Sequence, residues 1–250
     1  MKLIFALLFA VAIFCQPVHA RAEQEIIVSA ASSLRDAFIE TGKGFEKENP
    51  GIRMIFNFGA SGALVQQIAG GAPVDVFASA DEASMDLAEK KGLTIKSSRR
   101  DFARNTLVLI VPVSSALDIK SLRSLAENNV KRIAVGNPET VPAGRYAKDI
   151  LTENGFWDAL DKKFIYTNNV RQALDYVSRN EVDAGLVYAT DAFVAKGKVR
   201  TVSVLKGKKP AVYSIALTAA SKQGGYGVKF IEFVLGRGEA SLLKYGFMRP

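Results

Sequence analysis

The sequence predicts an α/β protein of two lobes, on three observations. Short apolar strand-like runs alternate with segments of helical spacing, the pattern of sheets covered by helices. The strands outnumber what one small sheet needs. Several of them run into a Ser-, Gly- or Asn-containing loop just ahead of a helix: Ser32-Ser33-Leu34, Gly59-Ala60-Ser61-Gly62, Val141-Pro142-Ala143-Gly144 and Asn168-Asn169-Val170. Such helix starts present unpaired backbone N–H groups and a partial positive charge, so these ends brought together would make a pocket for an anion.

In chain order, Lys2 precedes an apolar run from Leu3 to Cys15, followed by Gln16-Pro17-Val18-His19-Ala20. A charged start, a short apolar region and a small-residue cleavage site read as an export signal, too short to span a bilayer. Cleavage after Ala20 fits Val18-x-Ala20, and Ala20-x-Ala22 offers a second site, so residues 1–22 are assigned to a signal peptide. Cys15 reads as part of the apolar region, because a lipoprotein signal wants a small residue where Phe14 stands. Either cut removes Cys15 and His19, the single cysteine and single histidine of the chain. The mature protein therefore has no disulfide, thiolate metal site, cysteine nucleophile or histidine-dependent mechanism.

About 230 residues remain, enough for one large domain or two ordinary ones. No second membrane segment is evident. The net charge of +8 becomes +7 without Lys2 and +6 without Arg21 as well, so the mature chain stays basic. Its cations are scattered apart from Lys90-Lys91, Arg99-Arg100 and residues 206–209, with no interleaved aromatics, so no nucleic-acid partner is expected. A basic surface does attract anions over long range.

Residues 25–30 predict a strand, and Leu34, Ala37, Phe38, Thr41 and Phe45 fall at helical spacing behind it. Residues 52–58 predict a second strand, with Leu64 and Ile68 beginning a helix. Pro73 to Ala78 reads as a buried strand, and Met85, Leu87 and Ala88 as a short helix that Gly92 ends. A second series follows: strand 106–111 stopped by Pro112, strand 132–135, helix 144–153, strand 164–166, helix 170–179 and strand 182–188. Strands 199–205 and 212–218 and a helix at 227–235 after the Gly224-Gly225 break complete the chain. Strands 106–111 and 212–218 are long enough to link the lobes, which places a ligand in the cleft between them.

Further motifs are Ala30-Ala31-Ser32-Ser33-Leu34, Phe58-Gly59-Ala60-Ser61-Gly62, Gly71-Ala72-Pro73-Val74-Asp75-Val76-Phe77, Asn169-Val170-Arg171-Gln172-Ala173-Leu174 and Gly185-Leu186-Val187-Tyr188. Together they resemble the periplasmic molybdate-binding proteins of bacterial ABC importers. The most specific runs from Gly136 through Pro138-Glu139-Thr140-Val141-Pro142-Ala143-Gly144-Arg145-Tyr146-Ala147 to Lys148. They span nearly the whole mature chain in the family's order. The resemblance implies a type II periplasmic-binding-protein fold with two interlobe crossings, each lobe a mixed sheet flanked by helices. The lobes are expected at residues 23–104 with 213–250, and at 105–212.

It also implies that molybdate or tungstate is held by Ser33 and Ser61 through hydroxyl and backbone N–H, by Ala143 and Val170 through backbone N–H, and by Tyr188 through its phenol. The implied setting is a monomeric periplasmic receptor, without a cofactor or a free metal cation, that delivers the anion to a membrane permease. Ser33 is preferred to Ser32 because it immediately precedes Leu34 and suits a helix N-cap. The second motif has Ser61 as its one hydroxyl, where family members carry a Ser-rich run.

The chemistry is coherent without the family name. A fully deprotonated tetrahedral dianion offers only acceptor oxygens, which hydroxyls, backbone N–H groups and a phenol can satisfy. A hydrogen phosphate would want an acceptor for its proton, and none of the five contacts is acidic. Sulfate is also a dianion of acceptors, and its rejection must rest on cavity size. Each residue has an ordinary reading too: Ser33 and Ser61 as helix caps, Ala143 as a normal helix start after Pro142, Val170 and Tyr188 as core. Asp75 is expected to be a structural acceptor for backbone N–H groups.

An enzyme is not expected. Gly59-Ala60-Ser61-Gly62-Ala63 lacks the last glycine of a nucleophile elbow, and the mature chain has no histidine base. Ser203-Val204-Leu205-Lys206 matches S-x-x-K without its partner motifs. The closer alternative is a binder of the same fold for sulfate, a small carboxylate or a ferric complex. Carboxylate binders usually need an arginine clamp, and Arg145 and Arg171 adjoin proposed contacts, but both are read as surface or lobe-docking groups.

Overall fold

The computed structural model describes residues 23–250, so the signal peptide and both cleavage sites lie outside the described residues. Strand β1 (Gln24–Ala31) leads through a 3-10 turn (Ser32–Leu34) into α1 (Arg35–Glu48), followed by β2 (Ile52–Gly59), α2 (Ser61–Ala69), β3 (Val76–Ser79), α3 (Glu82–Lys90), β4 (Arg100–Asn105) and β5 (Leu107–Pro112). The second series is β6 (Ile133–Gly136), α4 (Pro142–Glu153), α5 (Trp157–Leu160), β7 (Phe164–Thr167), α6 (Val170–Ser178), β8 (Ala184–Tyr188), α7 (Ala189–Val194) and β9 (Val199–Leu205). The chain closes with β10 (Ala211–Leu217), α8 (Gly224–Leu235) and α9 (Glu239–Lys244).

These strands form two sheets of five, ordered β2-β1-β3-β10-β4 and β7-β6-β8-β5-β9. Each is mixed. In the first, β1 runs parallel to β2 and β3, while β10 is antiparallel to β3 and β4; in the second, β6 runs parallel to β7 and β8, while β5 is antiparallel to β8 and β9. The inner parallel strands β1, β3, β6 and β8 are buried over most of their length, which is why they read as largely apolar runs. In the first lobe α1 and α8 cover one face through an aromatic cluster in which Phe38 meets Phe230 edge-on at 6.0 Å and Phe45 meets it at 5.4 Å.

The chain passes between the sheets at Thr106, between β4 and β5, and returns through residues 206–210, between β9 and β10. The strands expected to cross do not: β5 stays in the second sheet and β10 in the first. Asn105, Ala211 and Val212, expected in the second lobe, pair within the first sheet, Asn105 with Ala211 and Arg104 with Val212. Strand β4 was invisible in sequence because it reads Arg-Asp-Phe-Ala-Arg-Asn, and only Phe102, Ala103 and Asn105 turn inward. It is an edge strand, and its outer side is partly covered where Arg104 exchanges backbone hydrogen bonds with Met248 at 2.8 and 3.0 Å.

Asp75 is buried ahead of β3 and acts as a structural acceptor. Its carboxylate takes hydrogen bonds from the Ile27 N–H at 2.9 Å, the Ser221 hydroxyl at 2.7 Å and the Gln223 N–H at 3.2 Å, tying β1 to the approach of α8. An Asp75→Ala variant strands the Ile27 N–H, so a stability loss of about 1.5–3 kcal/mol is expected. Urea unfolding of the mature protein checks it.

Candidate functional site

In each sheet one strand, β1 in the first and β6 in the second, lies between two parallel neighbours, and the chain leaves its carboxyl end first to one side and then to the other. Such a point opens a crevice beyond the strand ends. The two crevices face each other across the cleft. The turns after β1 and β2 carry Ser33 and Ser61, the turns after β6 and β7 carry Ala143 and Val170, and Tyr188 ends β8.

All five residues line one void, with Gly59, Ala80 and Val141 among its other walls. Its volume is about 10 Å³, about the room of one water molecule and far below the roughly 300–1,000 Å³ of pockets that enclose drug-sized molecules. The space excludes a drug-sized ligand. A larger hollow lies at the opposite end of β1, against Glu23, Glu25 and Lys222, and holds none of these donors.

Ser61 and Val170 are the first residues of their helices and Ala143 is the second, so their N–H groups have no carbonyl four residues back within the helix. Pro142 suits the first position because it has no N–H to leave unpaired. The second turn is compact: a Cβ at Gly144 would collide with the Gly136 carbonyl. Asn169 caps α6 by accepting the Gln172 N–H at 3.0 Å, which leaves Val170 facing the void.

Neither serine is the helix cap that the sequence suggests. The 3-10 turn moves the α1 cap to Leu34 and the cap of α2 is Ala60, so both hydroxyls are free for other bonds. The Ser33 Oγ lies 2.9 Å from the Tyr213 Oη. The Ser61 Oγ accepts the Ala80 N–H at 3.0 Å, leaving its own proton to donate. The Tyr188 Oη stands 3.4 Å from the Ala80 carbonyl, beyond the usual 2.5–3.0 Å for such a bond. Burial pushes the Tyr188 phenol well above its ordinary pKa, so it stays protonated and can donate.

The two arginines do not line the void. Arg145 reaches across the cleft to Asp81 at 2.7 Å and to the Ser84 hydroxyl at 2.7 Å, while donating to the carbonyls of Pro138 and Glu139 on its own side. Arg171 approaches Asp36 of the first lobe and Asp191 of the second, each at 2.7 Å, as ion pairs rather than aligned hydrogen bonds. The lobes also meet where the Gly62 N–H donates to the Thr140 carbonyl at 3.0 Å; a Cβ at Gly62 would stand 2.7 Å from that oxygen.

Sequence reasoning missed Tyr213, which contacts Ser33, and Asn105 and Thr190 behind it, all buried. A tyrosine inside an otherwise apolar strand needs a partner for its hydroxyl, which was the available signal for Tyr213. Asn105 had none, since β4 itself was not legible.

Residues 26–248 match the family model described as bacterial extracellular solute-binding protein. A putative ABC transporter substrate-binding lipoprotein, YvgL of Bacillus subtilis, is 38% identical over 89% of this chain and 85% of its own. The molybdate-binding protein ModA of Escherichia coli is 36% identical over 90% of this chain and 89% of its own. Among solved structures, the periplasmic molybdate-binding protein of Azotobacter vinelandii aligns with a TM-score of 0.80 at 25% identity, covering 90% of this chain and 99% of that one.

Asp191 gives the site a titration. Complete burial raises its carboxyl to about 6 from 3.8, against the opposing pull of Arg171 and of the Tyr188 N–H at 3.2 Å. The folded state therefore holds this proton more tightly than the unfolded chain. The contribution of Asp191 to stability is fully present below about pH 4 and is lost as pH rises to about 6. The stability of the parent minus that of Asp191→Asn should fall by about 3 kcal/mol or less across that window and stay level above it. Urea titrations of the pair at pH 4, 5, 6 and 7 measure this, and a difference independent of pH would contradict it.

Proposed function

The chain belongs to the bacterial extracellular solute-binding protein family, and from that premise we propose that it captures molybdate or tungstate between its lobes and hands the anion to an ABC permease. The similarity to molybdate-binding proteins supports this ligand. One observation carries it at the level of residues: Ser33, Ser61, Ala143, Val170 and Tyr188 line a single small void between the sheets. The first lobe, residues 23–104 and 213–250 with Asn105, Ala211 and Val212 added by their pairing, supplies the serines. The second supplies Ala143, Val170 and Tyr188. Closure of the cleft brings the two halves of the site together.

Each of the five contacts is a neutral donor. An oxyanion there is balanced by helix ends and oriented amides rather than by a formal cation. Ser61 can donate to the ligand because its oxygen accepts from the Ala80 N–H and its own proton stays free of protein partners. The protein acts as a monomeric receptor in the periplasm after loss of residues 1–22, and it performs binding rather than catalysis. A carboxylate binder of the same fold would need an arginine clamp, and both candidate arginines are engaged by Asp81, Asp36 and Asp191. A sulfate binder would use the same donors, so discrimination between sulfate and the larger molybdate and tungstate would rest on the size of the ligand-filled cleft.

Isothermal titration of the mature protein should give one-to-one binding of molybdate and tungstate, with no heat from phosphate. Ser61→Ala removes one hydrogen bond to a charged group, so affinity should fall about ten- to a hundredfold. Arg145→Gln should retain binding. Tight binding to Ser61→Ala, or abolition by Arg145→Gln, would count against these assignments.

A further inference from the structure

We infer that Tyr213, held by Asn105, is a positioning residue that fixes the Ser33 hydroxyl as a donor pointing into the void. The inference rests on Ser33 being a ligand contact, as proposed above. It follows from counting protons in a chain of four buried groups. The Asn105 Oδ1 accepts the Thr106 N–H at 2.9 Å, which sets the amide so that its nitrogen faces the other way. That nitrogen has two protons and donates one to the Thr190 Oγ1 at 2.8 Å and one to the Tyr213 Oη at 3.3 Å.

The Tyr213 oxygen is thereby an acceptor toward Asn105, and its single proton has one remaining partner, the Ser33 Oγ at 2.9 Å. If Ser33 donated instead, the Tyr213 proton would be buried with no acceptor, a cost of about one lost hydrogen bond. Tyr213, Asn105 and Thr190 are at most 1% exposed, so water does not relieve the constraint. Burial holds the Tyr213 phenol protonated, consistent with its role as donor. With one lone pair filled by Tyr213, Ser33 directs its own proton toward the void.

Ser61 meets the same condition by a different donor, the Ala80 N–H. Both serines accept from the protein and give to the ligand. The lining is thus set for an anion whose facing oxygens carry no proton. Tyr213 touches no part of the void in this scheme and acts only through Ser33.

A double-mutant cycle on the mature protein tests this, with tungstate and molybdate as the titrants. Tyr213→Phe should weaken binding about tenfold in the parent and less than twofold in Ser33→Ala. An equal loss in both backgrounds, or no loss in the parent, overturns the positioning role while leaving the ligand assignment intact. A parent that binds neither anion overturns the functional reading and this role with it. Proton NMR of the parent supplies a second measurement that needs neither variant nor ligand: a slowly exchanging Tyr213 hydroxyl proton close in space to the Ser33 β-protons is expected. A Tyr213 hydroxyl proton directed at Asn105 would refute the scheme even if the variants fail to fold.

Discussion

Everything at this site depends on the meeting of two sets of strand ends across a cleft. Neither lobe alone can surround an anion: the first contributes two turns with hydroxyls, the second two helix starts and a phenol. The contacts that bring them together are charged and directional, Arg145 with Asp81 and Arg171 with Asp36. Partly buried pairs of this kind contribute little net stability, because desolvation offsets most of the attraction. Gly62 is the steric counterpart, since its N–H and the Thr140 carbonyl can approach only where no Cβ intervenes.

This division of labour keeps formal charge out of the void. The arginines face carboxylates, and the interior presents hydroxyls and amides. A cation in the pocket would attract any small anion, whereas a shell of fixed neutral donors rewards an anion that is acceptor on every side and of matching size. Burial reinforces the pattern by keeping Tyr188 and Tyr213 protonated. The same low dielectric that makes an unpaired polar group costly makes each satisfied donor count.

Much of this was legible in the sequence because backbone geometry wrote it there. Gly136 and Gly144 stand in the most specific motif because the β6 end and the α4 start nearly touch. Pro142 marks the first turn of α4, and the buried parallel strands read as apolar runs. What escaped has equally physical causes. Strand β4 lies at a sheet edge with charged residues on its outer side, so it carries no apolar pattern. Short helices such as α5, α7 and α9 are made by tertiary packing rather than by a long periodic stretch. The hydroxyl of Ser33 reads in sequence as a ligand donor, with a helix cap as its ordinary alternative; its partner within the protein, Tyr213, lies 180 residues away, and no local rule reaches that far. The arginines show the complement: their neighbours in sequence placed them beside the site, and only the fold revealed which carboxylates hold them.

The most direct test is a crystal structure of the mature protein with tungstate, located by the anomalous scattering of tungsten. The account predicts one tungsten atom in the void between the lobes, its oxygens within hydrogen-bond distance of the Ser33 and Ser61 hydroxyls, the Ala143 and Val170 N–H groups and the Tyr188 phenol, with Arg145 and Arg171 still paired to their aspartates. A tungsten atom seated on either guanidinium, or one outside the cleft, would contradict it.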